Sequence, residues 1–143
     1  MNVVPAKKRW WNVEKNTAPV FTARVTDWTG VALTQASLSA SGNSYTIYRL
    51  TDPHNEDTES AITSHSAVTL TVASVIYDAL RLDAWWKDQE GNYIDTTGYN
   101  LAVQPSKVTA EPFAVAGASY KLVVTLNPTS GEDIVVRWFA RCS

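Results

Sequence analysis

Several residue types that define common protein classes are scarce in this chain. Its one cysteine, Cys142, excludes an intrachain disulfide framework and a zinc site built from cysteines alone. Charged residues make up only 18%, and the net charge of -2 gives no basic footprint for nucleic-acid binding. No apolar run has the length of a membrane span, and no signal-type apolar segment follows the basic cluster Lys7–Arg9. We therefore expect a soluble protein that is made in the cytoplasm.

Residues suited to catalysis are equally few. The two histidines, His54 and His65, lie in polar surroundings, and no serine stands in a Gly-x-Ser-x-Gly elbow. Cys142 is the penultimate residue, which is a poor position for an activated thiolate. No glycine-rich phosphate loop is present. The sequence predicts a protein that is not an enzyme and uses no cofactor, and a small hydrolase on a β scaffold is kept as a third alternative.

Two acidic segments contain the residue types of metal sites. The first is a polar loop whose spacing fits no closed set of zinc ligands, so we interpret it as solvated: it holds His54, Glu56, Asp57 and Glu59, with His65 further on. The second offers oxygen ligands around Gly91, as calcium prefers, but lacks the EF-hand pattern; its residues are Asp88, Glu90, Asn92 and Asp95. A β-turn explains the second segment equally well, and we predict no metal site.

Alternation of apolar and polar residues is the dominant pattern. It predicts strands in which one face is buried and the other is wet; these cover residues 19–26, 44–50, 67–72, 99–103, 119–126 and 133–141. In the last strand we expect Trp138 to face the core and Arg137 to face water. In the strand 99–103 we expect Tyr99, Leu101 and Val103 to share a face. Short strands at this spacing favour a single all-β, immunoglobulin-like antiparallel sandwich over residues 18–143, and a small barrel is the alternative.

The segments between the strands give more detailed predictions. Residues 127–132 should form a hairpin loop in which Gly131 adopts a positive φ. The polar composition of the segment 51–60 predicts an exposed loop. Apolar spacing after Ser74, which is suited to cap a helix, predicts one or two helical turns. Tyr120, at the start of its strand, should be buried with its hydroxyl near a backbone group, as in the tyrosine corner of sandwich folds.

Residues 1–17 form a segment of different character. Their charge is +3, which leaves -5 for residues 18–143, and Trp10 and Trp11 directly follow the basic residues Lys7, Lys8 and Arg9. We predict an extended N-terminal docking arm that holds the protein in an assembly. In the alternative, the arm folds back on its own domain as an edge strand. Nucleic-acid binding through this cluster is not expected, because the protein as a whole is acidic.

The chain has six tryptophans, and four of them form the pairs Trp10-Trp11 and Trp85-Trp86. Adjacent residues of a strand face opposite ways, so each pair should contribute one ring to a core and one to a surface. Aromatic residues are enriched in the buried parts of interfaces. We therefore predict an interface at these pairs and at the basic cluster, whereas a shelf that stacks on sugar rings is the alternative.

Several segments resemble a family of small immunoglobulin-like virion proteins of tailed bacteriophages. "NTAPVFTARVTDWTG" and "YTIYRLTD" resemble the opening strands of that family. "VTLTVASVIYDALRLDAWW" and "DTTGYNL" are similar to its middle segment, and "AGASYKLVVTLNPTSGEDIVVRW" is similar to its closing hairpin. Together these segments span about residues 16–140. The "AKKRWW" stretch and the doubled Trp85-Trp86 depart from the family's pattern.

The resemblance implies a structural protein of the virion, at the head, neck or tail, that decorates or cements neighbouring subunits. It implies other virion proteins as partners, a symmetric homo-oligomer in the particle, and no catalytic residues, metal or membrane. Its place of synthesis would be the cytoplasm of the host bacterium. The alternative is a receptor- or glycan-binding module of a tail fibre or baseplate. The two differ in whether the exposed tryptophans contact protein or sugar.

Overall fold

The computed structural model describes the backbone of residues 2–5 and all atoms of residues 11–88, 90–106 and 110–143. Within these residues the chain forms strands, one short helix and two 3-10 turns. The strands are β1 (Asn2–Pro5), β2 (Trp11–Val13), β3 (Phe21–Thr26), β4 (Ser44–Asp52), β5 (Asn55–Ala61), β6 (Val68–Thr69), β7 (Ile76–Arg81), β8 (Tyr99–Val103), β9 (Ser119–Leu126) and β10 (Ile134–Cys142). The helix is α1 (Val72–Val75), and the 3-10 turns are Gln35–Ser37 and Ala84–Trp86. None of the described helices is long and apolar enough to cross a membrane.

The strands form two sheets that pack face to face. One sheet has the order β1-β3-β8-β7, and the other has the order β2-β10-β9-β4-β5 with β6 also beside β4. The strands pair antiparallel, except that β2 runs parallel to β10. Apart from a first strand that is divided between the sheets, this is the strand order of immunoglobulin domains. The predicted immunoglobulin-like sandwich is confirmed.

The segment predicted to be a separate arm supplies both parts of this divided first strand. In β1, Val3 lies opposite Val25 of β3, and in β2, Trp11 lies opposite Ala140 of β10. The backbone thus pairs within its own domain, as in the alternative considered above. The proposed boundary at residue 17 does not separate the strands from the segment before it. Contact of this segment with a neighbouring subunit stays a prediction.

The core lies between the sheets and follows the predicted alternation. Along β10, Ile134, Val136 and Trp138 are buried, whereas Arg137 is exposed. The indole nitrogen of Trp138 donates to the carbonyl oxygen of Thr22 at 3.0 Å. This hydrogen bond satisfies the polar atom of a large buried ring and links the two sheets. The predicted register of the last strand is confirmed.

The predicted tyrosine corner and hairpin are also confirmed. Tyr120 is 1% exposed, and its hydroxyl oxygen accepts from the backbone N–H of Val115 at 3.2 Å. Strands β9 and β10 pair with Leu126 opposite Ile134, and Gly131 in the intervening loop has a φ of 92°. A positive φ strains most L-residues, so glycine suits this position.

One prediction about local structure is wrong, and a second is correct in kind but displaced along the chain. Residues 51–60 do not form a loop, because β4 continues to Asp52 and a tight turn leads into β5. The predicted short helical turn is present as α1, but it begins at Val72 rather than after Ser74, and it ends at Val75 because the following residues become β7 and pair with β8. The predicted strand 67–72 is accordingly reduced to β6. In both places pairing with a neighbouring strand overrides the local pattern.

A second, smaller cluster covers the outer face of β8. It consists of Trp86, Tyr99 and Ala102, and Trp11, Val20, Tyr77 and Ile94 border it. Tyr99 therefore does not share the environment of Leu101 and Val103, which belong to the main core, and the predicted common face is wrong for it. The register of β7 against β8 shifts between Ile76 and Arg81, opposite this part of the strand. Strand β8 is thus buried on both faces, which places the 3-10 turn Ala84–Trp86 over the sheet.

Candidate functional site

An exposed tryptophan stands at the tip of the turn that follows β3. Trp28 is 80% exposed, although large aromatic side chains are normally well buried. The carboxylate of Asp27 accepts from the Thr29 hydroxyl at 2.6 Å, from the Thr29 backbone N–H at 2.8 Å and from the Val31 N–H at 3.1 Å. The first of these bonds is the main reason that the pKa of Asp27 is lowered. The turn is therefore held in one shape, and it presents the indole ring to solvent.

Trp28 forms one wall of a cleft of about 600 Å³. The other wall is residues 130–135, the end of the β9–β10 hairpin and the start of β10. The hairpin adds the exposed carboxylates of Glu132 and Asp133 and the 40% exposed side chain of Val135. We refer to Trp28 and residues 130–135 as the Trp28 cleft. It combines the exposed apolar ring of Trp28 with an acidic rim formed by Glu132 and Asp133.

A second cleft, of about 380 Å³, lies beside the outer face of β8. Trp85, which is 47% exposed, and Tyr77 contribute aromatic rings to it. Polar side chains from the segment 69–74 and from Gln104 also line it. We refer to this site as the Trp85 cleft. The described lining residues of the two clefts do not overlap, and we treat the clefts as separate candidate sites.

The position of Trp85 is fixed by its neighbours in the chain. Asp83 accepts from the Trp85 backbone N–H at 3.0 Å, and the Trp85 carbonyl oxygen accepts from the hydroxyl of Thr22 at 3.2 Å. Asp83 also accepts from the hydroxyl of Tyr99. Burial and this contact with Asp83 raise the pKa of Tyr99, so its hydroxyl remains a donor. The backbone under Trp85 is therefore tied to β3 and β8.

Asp95 holds the next tryptophan, Trp86, in place. Its carboxylate accepts from the Trp86 indole nitrogen at 2.9 Å, from Arg24 at 2.7 Å and from the backbone N–H groups of Thr97 and Gly98. Partial burial alone would raise the pKa of Asp95, but these donors lower it to about 2. The carboxylate is ionised at neutral pH and joins the turn 84–86 to β3.

Among the described residues, the tryptophans that the sequence predicts as an interface differ in exposure, and Trp11 borders the cluster that contains Trp86. Lys7, Lys8, Arg9 and Trp10 lie outside the described residues. Trp11 is partly buried and packs on Phe21 with ring centroids 4.9 Å apart. Trp85 is exposed, but Trp86 is fully buried in its own domain. The prediction of one core ring and one surface ring holds for this pair, and the assignment of Trp86 to an interface is corrected.

The two acidic segments contain no grouped ligands. Across the residues that the structure describes, no three His, Cys, Asp or Glu side chains come together as a metal site would need. Asp88 accepts from the Asn92 backbone N–H at 2.9 Å, which closes a turn of the kind predicted. His65 is fully buried rather than part of a solvated loop. Its Nε2 lies 2.9 Å from the carbonyl oxygen of Ala110 and therefore donates, and its Nδ1 accepts from the hydroxyl of Tyr45 at 2.9 Å.

The sequence reasoning missed Trp28 as a candidate residue. The available signal is its position in "DWTG", where a turn places a large apolar residue at the tip. The contribution of the 130–135 hairpin to the same cleft has no local signal, because more than 100 residues separate it from Trp28.

Comparisons of the chain with protein-family models, with curated proteins and with solved structures give no match. The fold and the two clefts are therefore the features from which function is inferred. They define a β-sandwich that presents two exposed, well-anchored tryptophans on separate surfaces, an arrangement suited to binding.

Proposed function

We propose that the chain is a non-enzymatic structural protein of a bacteriophage virion, which decorates or cements neighbouring subunits at the head, neck or tail. The observation that carries the proposal is the Trp28 cleft. Tryptophan is enriched among the residues that dominate the energy of protein interfaces. The resemblance of the sequence segments to small virion proteins supports the same function.

The shape of the Trp28 turn favours binding to another protein. Because the side chain of Asp27 already fixes the turn, little backbone entropy is lost when Trp28 becomes buried by a partner. An indole ring that passes from 80% exposed to buried contributes a large apolar area. Glu132 and Asp133 beside it select a partner surface that is basic around an apolar pocket.

The chain itself carries such a basic segment. Lys7, Lys8 and Arg9 form a cluster that is followed directly by Trp10. In a symmetric assembly, the basic segment of one copy and the acidic cleft of the next form a head-to-tail contact that closes into a ring. This contact combines the predicted docking role of residues 7–11 with the pairing of β1 and β2 inside their own domain.

Incorporation into particles tests the proposal. A tagged copy of the chain is expressed in the host during phage growth, and particles are separated from free protein by sedimentation. We expect the wild-type chain in the particle fraction, and we expect Trp28→Ala to remain mostly in the free fraction. Trp85→Ala is the matched control, because it also removes an exposed indole but lies outside the Trp28 cleft; an equal loss of incorporation in both variants would instead support the interface that the sequence predicts at Trp85. A wild-type chain that is found only in the free fraction would overturn the proposal.

A charge exchange tests the head-to-tail contact. The double variant Glu132→Lys/Asp133→Lys should weaken incorporation, and so should Lys7→Glu/Lys8→Glu. A chain with all four changes should recover incorporation, because the charges are again complementary. If the combined variant does not recover incorporation, the contact between the basic segment and the acidic rim is excluded. The proposed virion function is then still decided by the incorporation of the wild-type chain.

A further inference from the structure

We infer that the Trp85 cleft is a binding site for a neutral carbohydrate. This activity goes beyond the proposed structural function and concerns a different surface. The cleft volume of about 380 Å³ falls in the range of about 300–1,000 Å³ that is typical of small-molecule sites. It has room for a short saccharide.

The aromatic part of the site consists of Trp85 and Tyr77. Trp85 is held by the hydrogen bonds of its backbone to Asp83 and Thr22. Tyr77 makes an edge contact with Tyr99, with ring centroids 5.9 Å apart. The apolar C–H face of a sugar ring packs on aromatic rings of this kind, which bury a large area with few rotatable bonds.

The polar part of the site is a row of hydroxyl groups. Thr69, Thr71 and Ser74 line the cleft, and within the described part of the chain no internal hydrogen bond uses their hydroxyls. Each hydroxyl can both donate and accept, as sugar hydroxyls do. Gln104 donates through Nε2 to the carbonyl oxygen of Ala18 at 2.8 Å, which orients its amide and leaves its own carbonyl oxygen as an acceptor.

The charge of the lining determines the class of ligand. Among the residues that the structure describes, no Asp, Glu, Lys or Arg side chain lines the Trp85 cleft, so at these residues an ionised ligand would lose its hydration without gaining a counter-charge. A purely apolar ligand would cover the hydroxyls of Thr71 and Ser74 without replacing their bonds to water. A neutral saccharide provides an apolar face for Trp85 and hydroxyls for the polar row.

Saturation-transfer NMR with defined sugars tests the inference. The probes are lactose, maltotriose and chitotriose at millimolar concentration, and a sulfated oligosaccharide is the charged comparison. We expect at least one neutral probe to receive saturation from the protein and to shift the indole N–H resonance of Trp85. Absence of transfer to every neutral probe, or binding of the sulfated probe alone, overturns the inference.

Three variants locate the binding. Trp85→Ala should raise the dissociation constant about tenfold or more. Thr71→Val/Ser74→Ala should raise it by a smaller factor, because the aromatic ring is retained. Trp28→Ala should leave it unchanged. If Trp28→Ala and Trp85→Ala weaken sugar binding equally, the sugar does not bind in the Trp85 cleft and the assignment of the site is overturned. Thermal melting of each variant, compared with wild type, separates lost binding from lost folding.

The outcome is independent of the proposed virion function. Trp85→Ala should enter particles normally although it no longer binds sugar, and Trp28→Ala should bind sugar although it does not enter particles. A chain that assembles but binds no neutral probe would disprove the carbohydrate site alone.

Discussion

Trp86 donates its indole hydrogen to Asp95 at 2.9 Å, and this one bond connects the buried member of the tryptophan pair to the loop that precedes β8. The same carboxylate accepts hydrogen bonds from Arg24 of β3 and from backbone N–H groups of the turn before β8. The position of Trp85 on the surface thus depends on how firmly its neighbour is held below it. Structural and binding roles are divided between two adjacent residues.

The first prediction concerns Asp95 and acid stability. Its pKa of about 2 in the folded protein lies below the ordinary value of 3.8. A lowered pKa means that the carboxylate stabilises the fold at pH above about 4 and that this contribution is lost as the pH falls towards 2. With solvent screening taken into account, the contribution is about 1–2 kcal/mol.

Chemical unfolding at a series of pH values measures this effect. Asp95→Asn should lower the free energy of unfolding at pH 7 and should flatten its dependence on pH between 4 and 2. Asp133→Asn, on the exposed hairpin, is the control and should leave the profile nearly unchanged. An Asp95→Asn profile as steep as that of wild type would contradict the assignment.

The second prediction concerns Gly98, which precedes β8 and has a φ of 99°. A Cβ atom at this position would overlap the backbone carbonyl of Arg81, which cannot move without disturbing the end of β7. Gly91 also has a positive φ, 86°, but a Cβ atom there would meet open space. Gly91→Ala is therefore the matched control, since it retains the backbone strain and lacks the clash.

We expect Gly91→Ala to lower the free energy of unfolding by about 1 kcal/mol. Gly98→Ala should lower it by at least about 1 kcal/mol more, because strain and overlap act together. Equilibrium unfolding in urea provides both values. Equal losses in the two variants would show that the close approach of Arg81 is not a constraint.

The third prediction concerns the core position of Trp138. Its ring is 1% exposed and its indole nitrogen bonds to Thr22. Trp138→Ala should lower the free energy of unfolding by about 3–5 kcal/mol, since it creates a cavity and leaves a carbonyl oxygen without its donor. Val135→Ala, on the exposed face of the same strand, should change it by less than about 0.5 kcal/mol. A Trp138→Ala variant with the same melting temperature as the wild type would refute the assignment of Trp138 to the core.

The fourth prediction concerns Lys121, which is 5% exposed on the outer face of β9. Burial opposes its positive charge, but the carboxylates of Glu59 and Glu56 outweigh burial and raise the pKa of Lys121. A raised pKa means that this contribution to stability is complete at neutral pH. It is lost only as the pH rises above the ordinary value of 10.5.

Lys121→Met keeps the aliphatic stem and removes the charge. We expect a change of about 1 kcal/mol or less at pH 7, because exchanging a buried ion pair for an apolar group is often close to neutral. The alkaline loss of stability should become shallower than in wild type. Arg137→Met, at an exposed position of β10, is the control. An unchanged alkaline profile in Lys121→Met would rule out this charge as its source.

Much of the sandwich follows from alternation alone. The two-residue period of β9 and β10 identifies their buried faces, because successive side chains of a strand point to opposite sides and only one side of these strands meets the core. Tyr120 and Gly131 are predictable for the same local reason. Each position has a conformation or partner within a few residues of the chain.

Long-range pairing was decided only by the tertiary structure. Residues 55–61 are polar and read as a loop, yet the free edge of β4 turns them into a strand. The segment 76–81 has helical spacing, but pairing with β8 supplies hydrogen bonds that a short isolated helix would not retain. The N-terminal residues appeared to form a separate arm, and the open edges of β3 and β10 incorporate them into the two sheets.

The same division applies to the candidate sites. The sequence predicted that Trp85 and Trp86 differ in environment from the alternation of a strand, whereas the pair lies in the 3-10 turn Ala84–Trp86, where one ring is nevertheless buried and the other exposed. Only the tertiary structure decided which ring is buried, since the buried ring is the one that reaches Asp95 and Tyr99. The Trp28 cleft likewise exists only after folding, because a turn after β3 and a hairpin more than 100 residues away meet at one end of the sandwich.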